Sequence, residues 1–218
     1  MYTPAHFAEK RPEVLHALVA AHPLGTLVTL TSNGLDANLI PFELDPTPTA
    51  AAPLGTLRAH VARANSVWHD FSREVEALVV FQGPQAYITP TWYVATKPET
   101  GKVVPTWNYC VVHAHGPLQV IDDRAWLHAQ VERLVRRHEA TQPAPWHVSD
   151  APPDFIEKQL AAIVGLEIPL TRLAGKWKVS QNRPAADRDG VVAALTAQPE
   201  TNARAMAGIV RDHAPKVL

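Results

Sequence analysis

The chain has little cysteine, since Cys110 is the only one in 218 residues. A single cysteine cannot form an internal disulfide, and the sequence has no CxxC pair of the kind that binds structural zinc. These absences favour a reducing, cytoplasmic location over an oxidising one. Because Cys110 stands in an apolar, strand-like run, it is more typical of a small core side chain than of a thiolate nucleophile.

An excess of charge of one sign is also missing. Lysine and arginine number 20, aspartate and glutamate number 21, and the sequence pI is about 6.8. Such a balance supplies no overall field to hold a phosphate backbone or an anionic membrane. Direct DNA binding therefore has weak support, confined to two short basic segments, residues 133–137 and 172–188.

Long hydrophobic runs are absent as well. No apolar run approaches the roughly 20 residues that a membrane-spanning helix needs. The first residues, MYTPAHFAEKRPEV, lack the apolar core of a secretory signal peptide. We therefore expect no membrane partner and no export.

Familiar catalytic motifs are missing from the sequence. It contains no GxSxG and no glycine-rich phosphate loop. Histidine is common, and His113 and His115 are spaced so that both lie on one face of a strand. Two histidines make only half of a tetrahedral zinc site, and no carboxylate or cysteine stands at a companion spacing. The sequence thus predicts no metal site and identifies no catalytic residue.

The order of apolar and turn-forming residues predicts a fold that is mainly β with flanking helices. Strand-like runs cover 24–30, 35–44, 55–61, 76–83, 86–94 and 103–121, and a returning strand covers 164–175. The Asn33-Gly34 pair between the first two runs is a strong hairpin signal. The succession is antiparallel in character and indicates a barrel or a sandwich.

Helical periodicity appears at both ends and in one insertion. We expect N-terminal helices in 1–23 packed on a barrel domain that covers 24–183. Helices are inserted in that domain at about 123–163, and a helical tail covers 184–218.

Two polar clusters could carry a ligand. In RAHVARANSVW, residues 58–68, a strand carries Arg58 and His60 on one face and leads into a turn. Backbone N–H groups there, with Arg63 and Asn65, could form an anion pocket. The alternative is a capped helix start with Arg63 in solvent. The second cluster, GKWKVSQNR at 175–183, suits a polar ligand, although such runs are more often solvated loops.

Several strings together resemble the PaiB family of FMN-binding negative transcriptional regulators. They are MYTPAHF at the start, HVARAN at 60–65, VVPTWNY at 103–109, PW at 145–146, AIVGLEI at 162–168 and GKWKVSQNR. The resemblance extends from Met1 to about Leu195. The chain departs from the family pattern at Asn38, Arg58 and Ser66, where family members often carry histidine, glycine and proline.

The resemblance implies a split β-barrel of the pyridoxamine-phosphate-oxidase type and a homodimer with FMN at the subunit interface. It places the phosphate and ribityl chain of FMN against Arg58, His60, Val61, Ala62, Arg63 and Asn65. It places the flavin ring beside Asn38, Leu39, Ile40 and Pro41. Candidates for closing the site, with the second subunit as one source, are Trp107, Asn108, Tyr109, Lys178, Ser180, Gln181 and Asn182.

Two functions from different classes follow from this resemblance. In the first, the protein is a flavin-binding regulator whose FMN biases a dimer that affects transcription. In the second, it is a flavin-dependent oxidoreductase, or a relative that handles haem or a small molecule, without a direct DNA-binding role. The absence of a visible catalytic pair favours the first, and a bound FMN is expected in both.

Overall fold

A computed structural model describes residues 1–213 of the chain. Ten strands occur in this part: β1 (Ala8–Glu9), β2 (Leu24–Thr31), β3 (Gly34–Pro41), β4 (Glu43–Asp45), β5 (Thr56–Ala62), β6 (Ala77–Ile88), β7 (Thr106–Gly116), β8 (Gln119–Ile121), β9 (Ile163–Pro169) and β10 (Arg172–Lys178). The α-helices of the same residues are α1 (Pro12–Ala21), α2 (Thr96–Thr100), α3 (Arg124–Glu139), α4 (Pro153–Ala161), α5 (Ala185–Thr196) and α6 (Thr201–Asp212).

The chain divides into two compact units. Unit 1 comprises residues 1–21, 82–112 and the chain from 174 onward, and unit 2 comprises residues 22–81 and 113–173. Strands β6, β7 and β10 each begin in one unit and end in the other. The predicted closing residues belong to unit 1, and the predicted phosphate, ribityl and ring residues belong to unit 2.

Unit 2 contains an antiparallel four-stranded sheet in the order β4-β5-β9-β8. Alternate side chains of β5 are buried, namely Leu57, Ala59 and Val61, so Arg58 and His60 share the half-exposed face. Burying such aliphatic side chains contributes about 1.5–3 kcal/mol each for the larger ones. The core therefore fixes which face of β5 presents polar groups.

The same unit contains the β2–β3 hairpin. The two strands pair along their whole length, from Leu24↔Pro41 to Thr31↔Gly34, and β2 also pairs with the start of β6. Gly34 has a φ of 107°, a conformation that a residue with a side chain rarely adopts, whereas Asn33 keeps a negative φ. The predicted hairpin is thus confirmed, with glycine alone supplying the positive φ.

Unit 1 contains strand β1 and the neighbouring parts of β10, β7 and β6, in that order. Helices α5 and α6 pack together, and they bury Val191, Leu195, Met206 and Val210. Asp187, at the start of α5, is fully buried and accepts hydrogen bonds from the backbone N–H groups of Ala95 and Thr96. This carboxylate fixes the N-terminal end of α2 to the helical part of the unit.

The predicted fold class, mainly β with flanking helices, is confirmed, while several elements differ from the prediction. Where two N-terminal helices were expected, one 3-10 turn (Ala5–Phe7) precedes α1. The run 76–83 and the start of the run 86–94 join in one strand, β6, in which Pro84 lies beyond the residues that pair with β2. The strand ends at Ile88, and Pro90–Trp92 form a 3-10 turn where a strand was expected. The run 164–175 forms two strands, β9 and β10.

Two further predictions concern the ends of elements. Pro105 lies immediately before the first residue of β7, a position where a missing N–H is tolerated. The predicted tail begins with α5 and α6, and its residues 214–218 lie outside the described part of the chain. Within residues 1–213, no helix combines the length and the apolar character required to cross a membrane.

Candidate functional site

His60 lies on the half-exposed face of β5. Its Nδ1 atom is buried and makes no hydrogen bond with any residue among 1–213. Burial lowers the pKa of the imidazole, so the neutral ring is the favoured form. A buried ring nitrogen without a hydrogen bond is costly, and a ligand hydroxyl could satisfy it.

Arg58, on the same face of β5, is held by carboxylates on both sides. Its Nη1 lies 3.0 Å from Asp45 Oδ2, and its Nε lies 2.7 Å from Glu167 Oε1. Burial acts to lower the pKa of Arg58, but the hydrogen bonds to Glu167 and Asp45 outweigh it and raise the pKa. Arg58 stands where members of the PaiB family often carry glycine. The positive charge that arginine adds is neutralised by the carboxylates of Asp45 and Glu167.

Arg63 follows β5 and is also paired. Its two terminal nitrogens lie 3.0 and 2.6 Å from the carboxylate oxygens of Asp122, and its Nε donates to Ala161 O at 3.0 Å. The hydrogen bond to Asp122 raises the pKa of Arg63 and lowers the pKa of Asp122. Arg63, which was predicted to bind the phosphate, thus links the end of β5 to residues around α3 and α4.

Asn65 closes the turn after β5 and connects it to β3. Its Oδ1 accepts from the N–H of Val67 at 2.9 Å, which caps the 3-10 turn Ser66–Trp68. Its Nδ2 donates to Asn38 Oδ1 at 2.9 Å, and Asn38 in turn donates to Asp36 at 2.8 Å. Two predicted segments, the turn and the ring strand, are therefore in direct contact.

The four predicted ring residues of β3 lie on opposite faces of the strand. Ile40 is 4% exposed, on the face that also carries Asn38, whereas Leu39 is 64% exposed and Pro41 is exposed on the other face. The register places Pro41 opposite Leu24 and Leu39 opposite Thr26 on this exposed face. We define the exposed leucines of this surface as the hairpin face: Leu24, Leu30, Leu35 and Leu39.

In unit 1, the predicted residues of β7 also alternate. Trp107 is 53% exposed and meets Tyr87 edge-on at 5.9 Å between ring centroids, and Tyr109 lies 5.3 Å from the ammonium of Lys176. Asn108 is buried on the opposite face, where its Nδ2 donates to Ser180 Oγ at 2.9 Å. The structure thus brings Asn108 and Ser180 together and leaves Trp107 on another surface.

The residues after β10 form a tight turn. Ser180 is the one residue other than glycine with a positive φ, 63°, among residues 1–213. Gln181 donates to Trp177 O and accepts from the N–H of Val179 at 2.8 Å, so its amide maintains the turn itself. Lys178 Nζ donates to Thr106 Oγ1 and to Trp107 O. Gln181 therefore stabilises the turn, and Lys178 links the end of β10 to the start of β7.

A cavity of about 100 Å³ lies at this turn in unit 1. Its lining includes four predicted residues, Asn108, Lys178, Ser180 and Asn182. It also includes residues that the sequence analysis did not assign, namely Phe7, Tyr93, Val104, Thr106 and Arg183. The guanidinium of Arg183 lies 4.5 Å from the centroid of the Tyr93 ring. Arg183 could have been found as the last residue of GKWKVSQNR, whereas no sequence signal marks Tyr93.

The two strand histidines lie near each other on one face of β7. The ring centroids of His113 and His115 are 6.3 Å apart, and burial is the main cause that lowers the pKa of both imidazoles, with the positive charge of Arg172 acting in the same direction. Within residues 1–213, no group of three or more His, Cys, Asp or Glu side chains is arranged to hold a metal ion.

The unit 2 residues fit the sugar-like part of a flavin mononucleotide. The Nδ1 of His60 is a buried polar atom that a ribityl hydroxyl could satisfy, and the amides of Asn38 and Asn65 present further polar groups. The phosphate demands charge-assisted donors, and the two arginines predicted to bind it, Arg58 and Arg63, are engaged by carboxylates. These residues would bind and orient the cofactor, which supplies redox chemistry when it is bound.

Comparison with known proteins places the chain among flavin-related families. A family model described as "Putative FMN-binding domain" matches residues 1–172. An uncharacterised protein of Emericella nidulans is 36% identical over 97% of both chains. The protease synthase and sporulation protein PAI 2 of Bacillus subtilis is 29% identical over the full length of both chains.

Among solved structures, the flavocytochrome Anf3 from Azotobacter vinelandii shares the fold. The TM-score is 0.55 at 13% identity, and the match covers 78% of this chain and 69% of that one. The family match supports FMN as the cofactor and includes HVARAN and VVPTWNY, while GKWKVSQNR lies beyond it. The chain therefore belongs to the family described as "Putative FMN-binding domain", and its resemblance to the PaiB proteins is confirmed.

Proposed function

We propose that the protein is an FMN-binding homodimer that acts as a PaiB-type negative regulator of transcription. The observation that carries the proposal is the hydrogen bond of 2.9 Å between Asn65 and Asn38. It joins the strand proposed to run beside the flavin ring to the turn proposed to hold the phosphate and ribityl chain. The family match supports the same cofactor.

The site residues divide into three proposed roles. Arg58, His60, Val61, Ala62, Arg63 and Asn65 form the phosphate and ribityl segment. Asn38, Leu39, Ile40 and Pro41 form the strand beside the ring. Trp107, Asn108, Tyr109, Lys178, Ser180, Gln181 and Asn182 are the closing residues. Because Val61 and Ile40 are buried, we assign their contribution to the backbone and to the position of their strands.

Binding is tested by titrating the purified protein against FMN and following the flavin fluorescence. We expect quenching at micromolar protein, and an unchanged fluorescence would contradict the proposal. In a second arm, Arg63→Ala should weaken FMN much more than riboflavin, which lacks the phosphate. Equal losses of both ligands would instead assign Arg63 a purely structural role through Asp122. Arg73→Ala, which removes an exposed arginine of the same unit, is the matched control.

The hairpin face supports the dimer. Four leucines on adjacent strands are 40–79% exposed, and contiguous exposed apolar surface of this kind marks an interaction site. Leu39→Glu is expected to halve the mass measured by light scattering, from about two chains of 23.9 kDa to one. Val75→Glu changes an exposed valine outside the hairpin face and should leave the mass unchanged.

The regulatory role is proposed to be indirect, without tight DNA binding. The basic residues of α3 are partly used within the chain, since Arg133 pairs with Glu43 at 3.0 Å. A salt-sensitive, sequence-selective shift of the DNA upstream of the protein's own gene would contradict indirect action. Rapid anaerobic reduction of the bound flavin by NADH or NADPH would favour the oxidoreductase instead. The cytoplasmic location expected from the single cysteine belongs to the same proposal.

A further inference from the structure

The cavity at the turn after β10 combines two cations with neutral hydrogen-bonding groups. Lys178 and Arg183 both line it, together with the side chains of Thr106, Asn108 and Ser180. Its volume of about 100 Å³ exceeds the space of a single water molecule and suits a tetrahedral oxyanion. All of these groups belong to unit 1.

Neither cation of this cavity forms an ion pair with a carboxylate of the described residues. Within residues 1–213, no aspartate or glutamate oxygen lies within 4.0 Å of a charged nitrogen of either side chain. Lys178 Nζ bonds only to a hydroxyl and a backbone carbonyl, and Arg183 lies over an aromatic ring. The carboxylate of Asp187, four residues after Arg183, accepts hydrogen bonds from Ala95 and Thr96 and attracts Arg183 without forming an ion pair with it.

The charges of this cavity are costly without an anion. Lys178 is half-buried, and burial, followed by the positive charges of Lys176 and Arg183, lowers its pKa. A partly buried ammonium that lacks a counter-ion is unfavourable, and a bound anion would remove the penalty. The two cations repel each other in the absence of an anion, and both would attract an anion that binds between them.

Two further observations indicate a ligand rather than a packing defect. Tyr93 is 1% exposed, lines the cavity, and its hydroxyl makes no hydrogen bond with any residue among 1–213. Ser180 holds a left-handed backbone conformation that costs of order 1 kcal/mol or more, which is typical of functional sites. Its hydroxyl is kept in place by Asn108.

We propose that this cavity of unit 1 is a binding site for a small oxyanion, in which Lys178 and Arg183 supply the charge. Phosphate is the chemistry that fits best, because it accepts several charge-assisted hydrogen bonds at once. The anion has two sources, the phosphate group of FMN or a separate phosphorylated or inorganic molecule. The site is inferred from the cavity itself and does not depend on flavin binding.

The test is a calorimetric titration of the full chain with inorganic phosphate at constant ionic strength, with chloride as the balancing salt. We expect saturable binding that Lys178→Met and Arg183→Met each weaken by about tenfold or more, the usual effect of losing a charge-assisted bond. Lys102→Met removes an exposed lysine of the same unit and should leave the affinity unchanged. The proposal is overturned if phosphate does not bind, or if both variants bind it as tightly as the parent chain.

Misfolding of a variant is checked by thermal unfolding in chloride buffer. Lys178→Arg retains the charge and should preserve phosphate binding, which a general loss of structure would not allow. In the parent chain, phosphate should also raise the unfolding temperature, because it binds only the native state. The absence of both the binding and the stabilisation would contradict the site.

The source of the anion is identified with the same variants. If Lys178→Met weakens FMN but not riboflavin, the anion is the phosphate of FMN, and the proposed phosphate role of Arg63 is then wrong. If it weakens inorganic phosphate and leaves FMN unchanged, the site receives a separate molecule. Should the protein bind no FMN at all, the phosphate titration still decides the inference, so failure of the proposed function is distinguishable from failure of the oxyanion site.

Discussion

Two basic clusters, one in each unit, differ in what neutralises them. In the β5 cluster, Arg58 lies between Asp45 and Glu167, and Arg63 meets Asp122 through two hydrogen bonds. In the β10 cluster, the groups among residues 1–213 that Lys178 and Arg183 contact directly are uncharged. The difference shows that the availability of a cation for a ligand is decided by its neighbours. An arginine in a polar motif can serve to hold two segments of the chain together, whereas a lysine in a loop-like run can be the cation that is available to a ligand.

The two arrangements predict opposite responses to losing a cation. Removing a paired arginine leaves carboxylates without their counter-charge, which is strongly destabilising when they are buried. Removing an uncompensated ammonium relieves the cost of its partial burial. Stability measurements in phosphate-free buffer can therefore separate the two clusters without any ligand.

The largest effect is expected at Asp187, the buried carboxylate four residues after Arg183. Asp187→Ala removes hydrogen bonds to two backbone N–H groups and to the hydroxyl of Thr96, all at a fully buried position. We expect a loss of about 3 kcal/mol in the free energy of unfolding, measured with urea. Asp189→Ala, on the exposed side of the same helix, should change it by less than about 0.5 kcal/mol. Equal effects would contradict the role of Asp187.

The same carboxylate predicts a pH dependence. Burial acts to raise the pKa of Asp187, but the hydrogen bonds from Thr96 and Ala95 outweigh it and hold the pKa below its ordinary value. A lowered native pKa adds stability above the unfolded-state pKa of about 3.9, and that stability is lost as the pH falls through the native pKa. The acid side of the stability curve should therefore be flatter in Asp187→Ala than in the parent chain.

The second prediction compares the free energies of unfolding of Arg58→Met and Lys178→Met. The arginine and its two carboxylate partners are 19–33% exposed, so the loss of Arg58 should cost about 2 kcal/mol, less than for a fully buried pair. Lys178→Met should leave the free energy of unfolding unchanged or raise it slightly. Urea unfolding in chloride buffer measures both. Similar losses in the two variants would remove the distinction between the clusters.

Local sequence patterns predicted the elements of the fold but not the pairing of its charges. The Asn33-Gly34 turn and the alternation of β5 depend on neighbours in the chain, so they could be inferred. The partners of the arginines could not, because Arg63 and Asp122 are 59 residues apart and Arg58 and Glu167 are 109 apart. Strand register brings such residues together, and register follows from the packing of the whole unit.

The contacts of the candidate site could likewise be predicted only in part from the sequence. The strings HVARAN and GKWKVSQNR identified polar segments, and alternation placed Arg58 and His60 on one face. The sequence could not show that Ile40 and Asn108 are buried or that Arg183 lies over Tyr93. Those facts depend on contacts between distant segments, which periodicity and motif spacing do not contain.

The smallest effect concerns the backbone of the β10 cluster, where Ser180 has a φ of 63°. Ser180→Ala removes the hydroxyl that contacts Asn108 and keeps the side-chain strain, whereas Ser180→Gly removes the hydroxyl and relieves the strain. The glycine variant should therefore be more stable than the alanine variant by about 1 kcal/mol, measured by urea unfolding. If the two variants were equally stable, the left-handed conformation would carry no cost, and the strain argument for a ligand at this turn would fail. The glycine variant can also be the more stable one while both variants bind phosphate more weakly than the parent chain. In that case the hydroxyl of Ser180 contacts the ligand, and the backbone conformation serves to position this hydroxyl.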